Sequence, residues 1–294
     1  MEIFDCHCDT ASEMLDKNQA LFENSLHIDL KRLEKYDSFT QVFAVFIAPE
    51  YADCAMDRAE KIVMNFKKEA QNNSITICTC RDDFENAKTR VKAFLSLEGG
   101  EPIQSVSDLV RLHEMGIKMI APTWNFANQL ASGVESEDTG LTDFGREIIA
   151  KMGQLGIIPD VSHLSERAFW DVAAIAKGPV CASHSNLKSV VAHKRNLTDE
   201  QFLAIKKSGG VCGINLYPPF FGEDIACLKA HIDAFLALGG EDNIGLGCDF
   251  DGVDRLPRGI SGVESMEAVI KNLPYSAELK EKLAFRNFLR IFSA

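Results

Sequence analysis

Eight short apolar runs, spaced by helix-like stretches, constrain this chain more than any other feature. The runs are 2–6, 42–47, 93–97, 117–121, 157–161, 179–183, 210–215 and 244–248. Helix-like segments lie near 52–71, 106–115, 142–155, 165–176, 198–208, 224–239 and 263–271. The runs are nearly uniformly apolar rather than alternating, which marks strands buried on both faces of a parallel sheet. Glycines ahead of the strands, as in Met115-Gly116, Leu155-Gly156, Gly209-Gly210 and Gly239-Gly240, read as helix C-caps. Ser165-Glu166 and Thr198-Asp199-Glu200-Gln201 read as helix starts. Eight such units predict an α/β fold, a closed (β/α)₈ TIM barrel, with a doubly wound open sheet as the alternative. No low-complexity linker, charge block or repeat divides the chain, so residues 1–294 read as a single catalytic barrel domain.

A barrel enzyme carries its chemistry at the C-terminal ends of its strands. There the ligand-type residues fall. The first run ends in His7 and Asp9, which share one side of an extended strand. The third ends in Glu98, the fifth in Ser162-His163, the sixth in His184-Ser185-Asn186 and the last in Asp249-Phe250-Asp251-Gly252. Each has a plainer reading alone. A histidine at a strand end is usually a hydrogen-bonded polar residue, Glu98 could serve a helix N-terminus, and Asp251-Gly252 is a turn signal. Five coincidences at one structural level point instead to a site for divalent metal. Imidazole with carboxylate favours zinc or a similar ion. Two metals about 3.5–4 Å apart can hold an attacking hydroxide and polarise a carbonyl, with one carboxylate bridging them. His27, His113, His193 and His231 lie in loop or helix patterns and need no such role.

Composition narrows the partners. The chain has 43 Asp+Glu against 31 Lys+Arg, a net charge of −12, which argues against nucleic acid and anionic membrane as partners. The N-terminal residues show no signal peptide, and the C-terminal residues no apolar anchor tail, so a cytoplasmic location is expected. The nine cysteines are scattered, and several fall inside predicted strands, which suits reduced, buried thiols. Cys6 and Cys8 flank His7 and are expected to pack on the opposite face.

These residues match a known pattern. Asp5-Cys6-His7-Cys8-Asp9, Ser96-Leu97-Glu98-Gly99-Gly100, Asp160-Val161-Ser162-His163, Ser183-His184-Ser185, Lys194-Arg195-Asn196, Gly247-Cys248-Asp249-Phe250-Asp251-Gly252 and the closing Asn287 to Phe292 together resemble the membrane dipeptidase (renal dipeptidase) family of amidohydrolase-like barrels. The resemblance implies two divalent metal ions, zinc. His7 and Asp9 would hold one, His163 and His184 the other, and Glu98 would bridge them. It further implies that Asp249 moves protons between water and the leaving amine. Arg195 would pair with the substrate's C-terminal carboxylate, and Tyr217 would contact substrate. A homodimer is expected from the family alone.

One departure stands out. Where relatives similar to the mammalian enzyme carry a histidine thought to contact the reaction oxyanion, this chain has Trp124, within Thr123-Trp124-Asn125-Phe126-Ala127-Asn128. An indole donates one hydrogen bond and carries no charge; Asn125 or Asn128 is the candidate replacement. The expected function is metal-dependent hydrolysis of free dipeptides, C-terminal D-residues included. The alternatives are an amidohydrolase for N-acyl amino acids, lactams or related amides, and, more remotely, a non-catalytic binding barrel. The last would be marked by a lost ligand or acid/base residue, and none is lost.

Overall fold

The computed structural model describes residues 1–292. Its nine strands are β1 (Glu2–Cys8), β2 (Ser38–Phe46), β3 (Thr76–Ile77), β4 (Val91–Glu98), β5 (Ile117–Ala121), β6 (Ile158–Pro159), β7 (Cys181–Ala182), β8 (Val211–Ile214) and β9 (Ile244–Leu246). Eight of them run in the order β6-β5-β4-β2-β1-β9-β8-β7, and β3 pairs with β4 off this path. The pairings are parallel throughout. A parallel bridge between Asp160 and Cys181 joins the two ends of the order. The result is a nearly closed (β/α)₈ barrel, the architecture that the eight apolar runs predict.

The differences in boundary have local causes. β2 begins at Ser38, four residues ahead of the apolar run, because Thr40 and Gln41 are buried inside the sheet despite their polarity. The Gln41 side-chain NH2 donates to the Asp5 and Val42 carbonyls at 3.3 and 3.1 Å, which anchors it there. β6 is only two residues long, and its Pro159 has no N–H to give to a ladder. Strand β3 and the short helices Thr10–Asp16 and Arg81–Asn86 are additions that the sequence patterns do not announce.

Helix boundaries follow their caps. Thr198 and Gln201 form the expected capping box, and the Ser165 hydroxyl accepts from the Ala168 amide. Gly156 closes Asp143–Leu155 at φ 67°, a left-handed conformation that costs glycine little.

The N-terminal end of the barrel is plugged with aromatic rings. Phe4 of β1 packs against Phe288 and Phe292 of the last helix, Asn287–Phe292, with centroids 5.7 and 5.2 Å apart. Phe292 also meets Phe94 of β4 at 4.9 Å. These are large buried surfaces with favourable tilted contacts. Chemistry is therefore left to the opposite, C-terminal end. Cys6 and Cys8 are fully buried, as expected of packing residues, and the sulfur of Cys6 lies 3.9 Å from that of Cys181.

Candidate active site

Six predicted residues meet at the C-terminal mouth. His7 and Asp9 end β1, Glu98 ends β4, His163 and His184 follow β6 and β7, and Asp249 follows β9. All six are at least nine-tenths buried. His7 Nε2 lies 3.4 Å from Asp9 Oδ2, 3.3 Å from Glu98 Oε2 and 3.7 Å from Asp249 Oδ1. Glu98 Oε1 lies 2.7 Å from His163 Nε2 and 3.7 Å from His184 Nε2. Glu98 thus presents one oxygen to each side of the cluster. The backbone is strained to do this: His163 and Asp249 have φ of 70° and 61°, in a region non-glycine residues seldom occupy.

Close approach of the strands brings the histidines to the aspartate. A Cβ on Gly213 or Gly247 would lie 2.0 or 1.9 Å from the Ser183 carbonyl oxygen, so both positions need glycine.

The tautomers of two imidazoles follow from their neighbours. Nδ1 of His163 lies 2.8 Å from Asn125 Oδ1, an acceptor, so Nδ1 carries the proton. The Ser183 hydroxyl donates to Asp160 Oδ2 at 2.5 Å and therefore accepts from His184 Nδ1 at 2.7 Å. Both Nε2 atoms are then bare lone pairs, and they face one another at 2.8 Å. Two acceptors this close, with a carboxylate oxygen beside them, call for a cation. His7 Nε2 and Asp9 Oδ1 are buried without hydrogen-bond partners, which fits the same need. His7, Glu98 and His184 offer donor atoms within 4.8 Å of one another, as do His7, Asp9 and Asp249. The residues present fit metal.

Electrostatics agree at Glu98, His163 and His184. Burial opposes charge on Glu98, yet His7 and His163 hold its carboxyl well below the usual range. Burial also opposes charge on His7, and Glu98 with Asp9 outweighs it. Burial, with Glu98 adding to it, lifts Asp9 to about 7. Burial, then Arg195, pushes His163 down to about 4, and burial pushes His184 well below its ordinary value. Neutral imidazole is the metal-binding form. Burial also raises Asp249, with His7 opposing and Glu98 adding.

The remaining predicted residues flank this cluster. Arg195 is buried, donates to the Ser185 hydroxyl and the His184 carbonyl at 3.3 Å each, and lies 5.7 Å over the Phe220 ring. Among the described residues no carboxylate comes within ion-pair distance of it. Tyr217 sits edge-on to the same Phe220 at 5.2 Å, and its amide donates to Asn215 Oδ1 at 2.6 Å. Trp124 packs between Phe46 and Phe126, with its ring 6.3 Å from that of His163. Asn125 is engaged on His163, and Asn128 ties down its own loop through Glu101 and the Pro122 carbonyl. Asp251 is held by Thr10 and His27.

Two contributors lie outside the sequence reading. Asn215 donates to Asp249 Oδ2, and Asp160 orients His184 through Ser183. Asp160 had a signal of its own, a carboxylate in the middle of an apolar run; Asn215 had none.

The profile of the membrane dipeptidase family, peptidase family M19, matches residues 1–294. The chain belongs to that family. It is a metal-dependent hydrolase of the dipeptidase type. An uncharacterized dipeptidase of Schizosaccharomyces pombe is 29% identical over 305 residues, covering 92% of this chain and 73% of the relative. The crystal structure of the family M19 metallopeptidase dipeptidase AC superposes with a TM-score of 0.91 at 26% identity, covering 99% of this chain and 98% of the other. A metallopeptidase from Rhodobacter sphaeroides, liganded with a phosphinate mimic of the dipeptide L-Ala-D-Ala, gives 0.89 at 25% identity over 99% and 98%. Among the described residues of this dipeptidase, no helix is long and apolar enough to cross a membrane.

Proposed function

We propose that this enzyme hydrolyses free dipeptides, C-terminal D-residues included, with two zinc ions held by His7, Asp9, Glu98, His163 and His184. The carrying observation is the pair of opposed Nε2 lone pairs beside Glu98, which a bound metal cation reconciles. The L-Ala-D-Ala mimic bound by the Rhodobacter sphaeroides neighbour supports a D-residue at the second position. When bound, zinc polarises the scissile carbonyl and acidifies the attacking water.

The protein's own groups do the rest. Asp249, raised by burial and held by Asn215, takes a proton from the water and returns it to the leaving amine. Glu98, kept ionised by its histidines, spans the two halves of the ligand set. Arg195 has a buried charge with free donors and receives the substrate carboxylate as a bidentate fork. Tyr217 shares Phe220 with Arg195 and lines the same side. Asn125 and the Asp160–Ser183 pair keep Nε2 of each imidazole turned to the metal. Asn125 thus serves His163 rather than the oxyanion.

The test is hydrolysis of L-L, L-D and N-acetylated dipeptides by metal-stripped and zinc-reloaded protein in parallel. Zinc-restored cleavage confined to free dipeptides is expected. Cleavage of N-acyl substrates alone would reassign the enzyme as an amidohydrolase of the aminoacylase kind.

A further inference from the structure

Beside the metal ligands lies a cavity of about 300 Å³ that the proposed chemistry does not use. Its walls include Ile47, Pro49 and Ala52 from beyond β2, Glu101 from beyond β4, and Trp124 and Phe126 from beyond β5. We propose that this cavity receives the side chain of the substrate's N-terminal residue and selects large apolar side chains. The proposal rests on the dipeptidase reading above.

Position around the barrel supports it. The strands follow one another as β1, β2, β4, β5, β6, β7, β8, β9. Arg195 follows β7 and Tyr217 follows β8, so the cavity over β2, β4 and β5 occupies the opposite rim. A dipeptide with its carboxylate on Arg195 and its scissile carbonyl above Glu98 directs its N-terminal residue toward that rim. The cavity and the ligand cluster share a wall. Trp124 lies 6.3 Å from the His163 ring and 5.5 Å from Phe46, and Phe46 is the register partner of Glu98.

The lining decides the chemistry. Trp124 is half-buried and Phe126 is 51% exposed, so aromatic surface stands open on the rim. An apolar side chain covers it with gain. The polar groups nearby are committed elsewhere. Asn128 donates to Glu101 Oε1 and the Pro122 carbonyl, and Gln129 donates to the carbonyls of Gly100 and Ile103. Glu101 Oε2 is tucked under Gly99, where an added Cβ would lie 2.6 Å from it, and it has no solvent-facing surface. A lysine or arginine side chain entering the cavity therefore meets only Glu101 Oε1, which already accepts from Asn128.

The experiment measures kcat/KM of the zinc-loaded full chain for Gly-Ala, Leu-Ala, Phe-Ala and Lys-Ala. Leu-Ala and Phe-Ala are expected to exceed Gly-Ala by roughly 10- to 100-fold, with Lys-Ala well behind them. Ala52→Trp fills the cavity and Phe126→Ala removes one wall. Both residues are exposed, and each variant is expected to shrink the Leu-Ala to Gly-Ala ratio at least about fivefold. Equal rates for all four substrates, a preference for Lys-Ala, or a ratio unchanged in both variants would overturn the subsite and leave the dipeptidase intact. Failure to cleave any of the four would overturn the dipeptidase reading, and the subsite with it.

Discussion

Asn215 donates from its side-chain amide to Oδ2 of Asp249 at 2.8 Å, across the gap between β8 and β9. The same amide reaches the His184 carbonyl at 3.4 Å, so one buried group ties the proposed proton carrier to the backbone of a proposed metal ligand. Asn215→Ala frees the Asp249 carboxylate to rotate. A fall in kcat of about 10- to 100-fold is expected, with metal content retained. Steady-state kinetics with metal analysis on the same samples checks both; loss of metal would mean that Asn215 supports the ligands instead.

Asn125 fixes which nitrogen of His163 is bare. Asn125→Ala leaves Nδ1 without its acceptor and lets the ring turn. Metal affinity is expected to drop about 10- to 100-fold, measured by chelator competition. Asn125→Asp keeps an acceptor at the same place and should restore most of it.

The unpaired Arg195 charge predicts a substrate rule. Arg195→Met should lower kcat/KM on a free dipeptide by about 10- to 100-fold, mainly through KM, by removing charged hydrogen bonds. A C-terminally amidated dipeptide should be equally poor for both proteins. A variant that lost activity on both substrates alike would show that the residue holds up the site rather than the carboxylate.

Acid should strip metal in a defined window. Asp9, lifted to about 7 by burial and Glu98, must be deprotonated to act as a ligand. Above pH 7 no proton need leave it; below pH 7 the proton competes, costing about tenfold in apparent affinity per pH unit. His163, pushed to about 4, and His184, also pushed down, stay neutral across that window and release no proton. Zinc titrations from pH 5.5 to 8.5 should show affinity rising through about pH 7, with a shallower rise continuing above it. The later rise comes from His7, whose imidazole Glu98 and Asp9 hold protonated well above its ordinary range and which must also release its proton.

Gly252 is packed against two carboxylates. A Cβ there would lie 2.2 Å from Asp9 Oδ2 and 2.3 Å from Asp249 Oδ1. Gly252→Ala is expected to cost about 100-fold in kcat/KM by displacing both groups, with little change in thermal stability. An active, normally metallated Gly252→Ala would show that the Asp251-Gly252 pair is only a turn.

Much of this site is legible in the chain because each candidate ligand sits where a local pattern ends. His7, Glu98, His163, His184 and Asp249 each stand just past an apolar run, and a parallel barrel gathers such ends at one mouth. The supporting residues are harder to read. Asn215 looks like any polar residue after a strand, and Thr40 and Gln41 disguise the first half of β2 as loop. Asp251 carries the same charge as Asp249 two residues on, yet the fold spends it on Thr10 and His27.

The sequence by itself determined the alternation of strands and helices, the barrel class, and the candidates for metal and substrate, because periodicity, capping and strand-end position are properties of neighbours along the chain. Only the tertiary structure decided which candidates meet, which imidazole nitrogen is bare, and which asparagine holds which acid. Those relations join residues 38 apart for Asn125 and His163, and 34 apart for Asn215 and Asp249. Nothing local encodes them, since closing the barrel is what sets the distances.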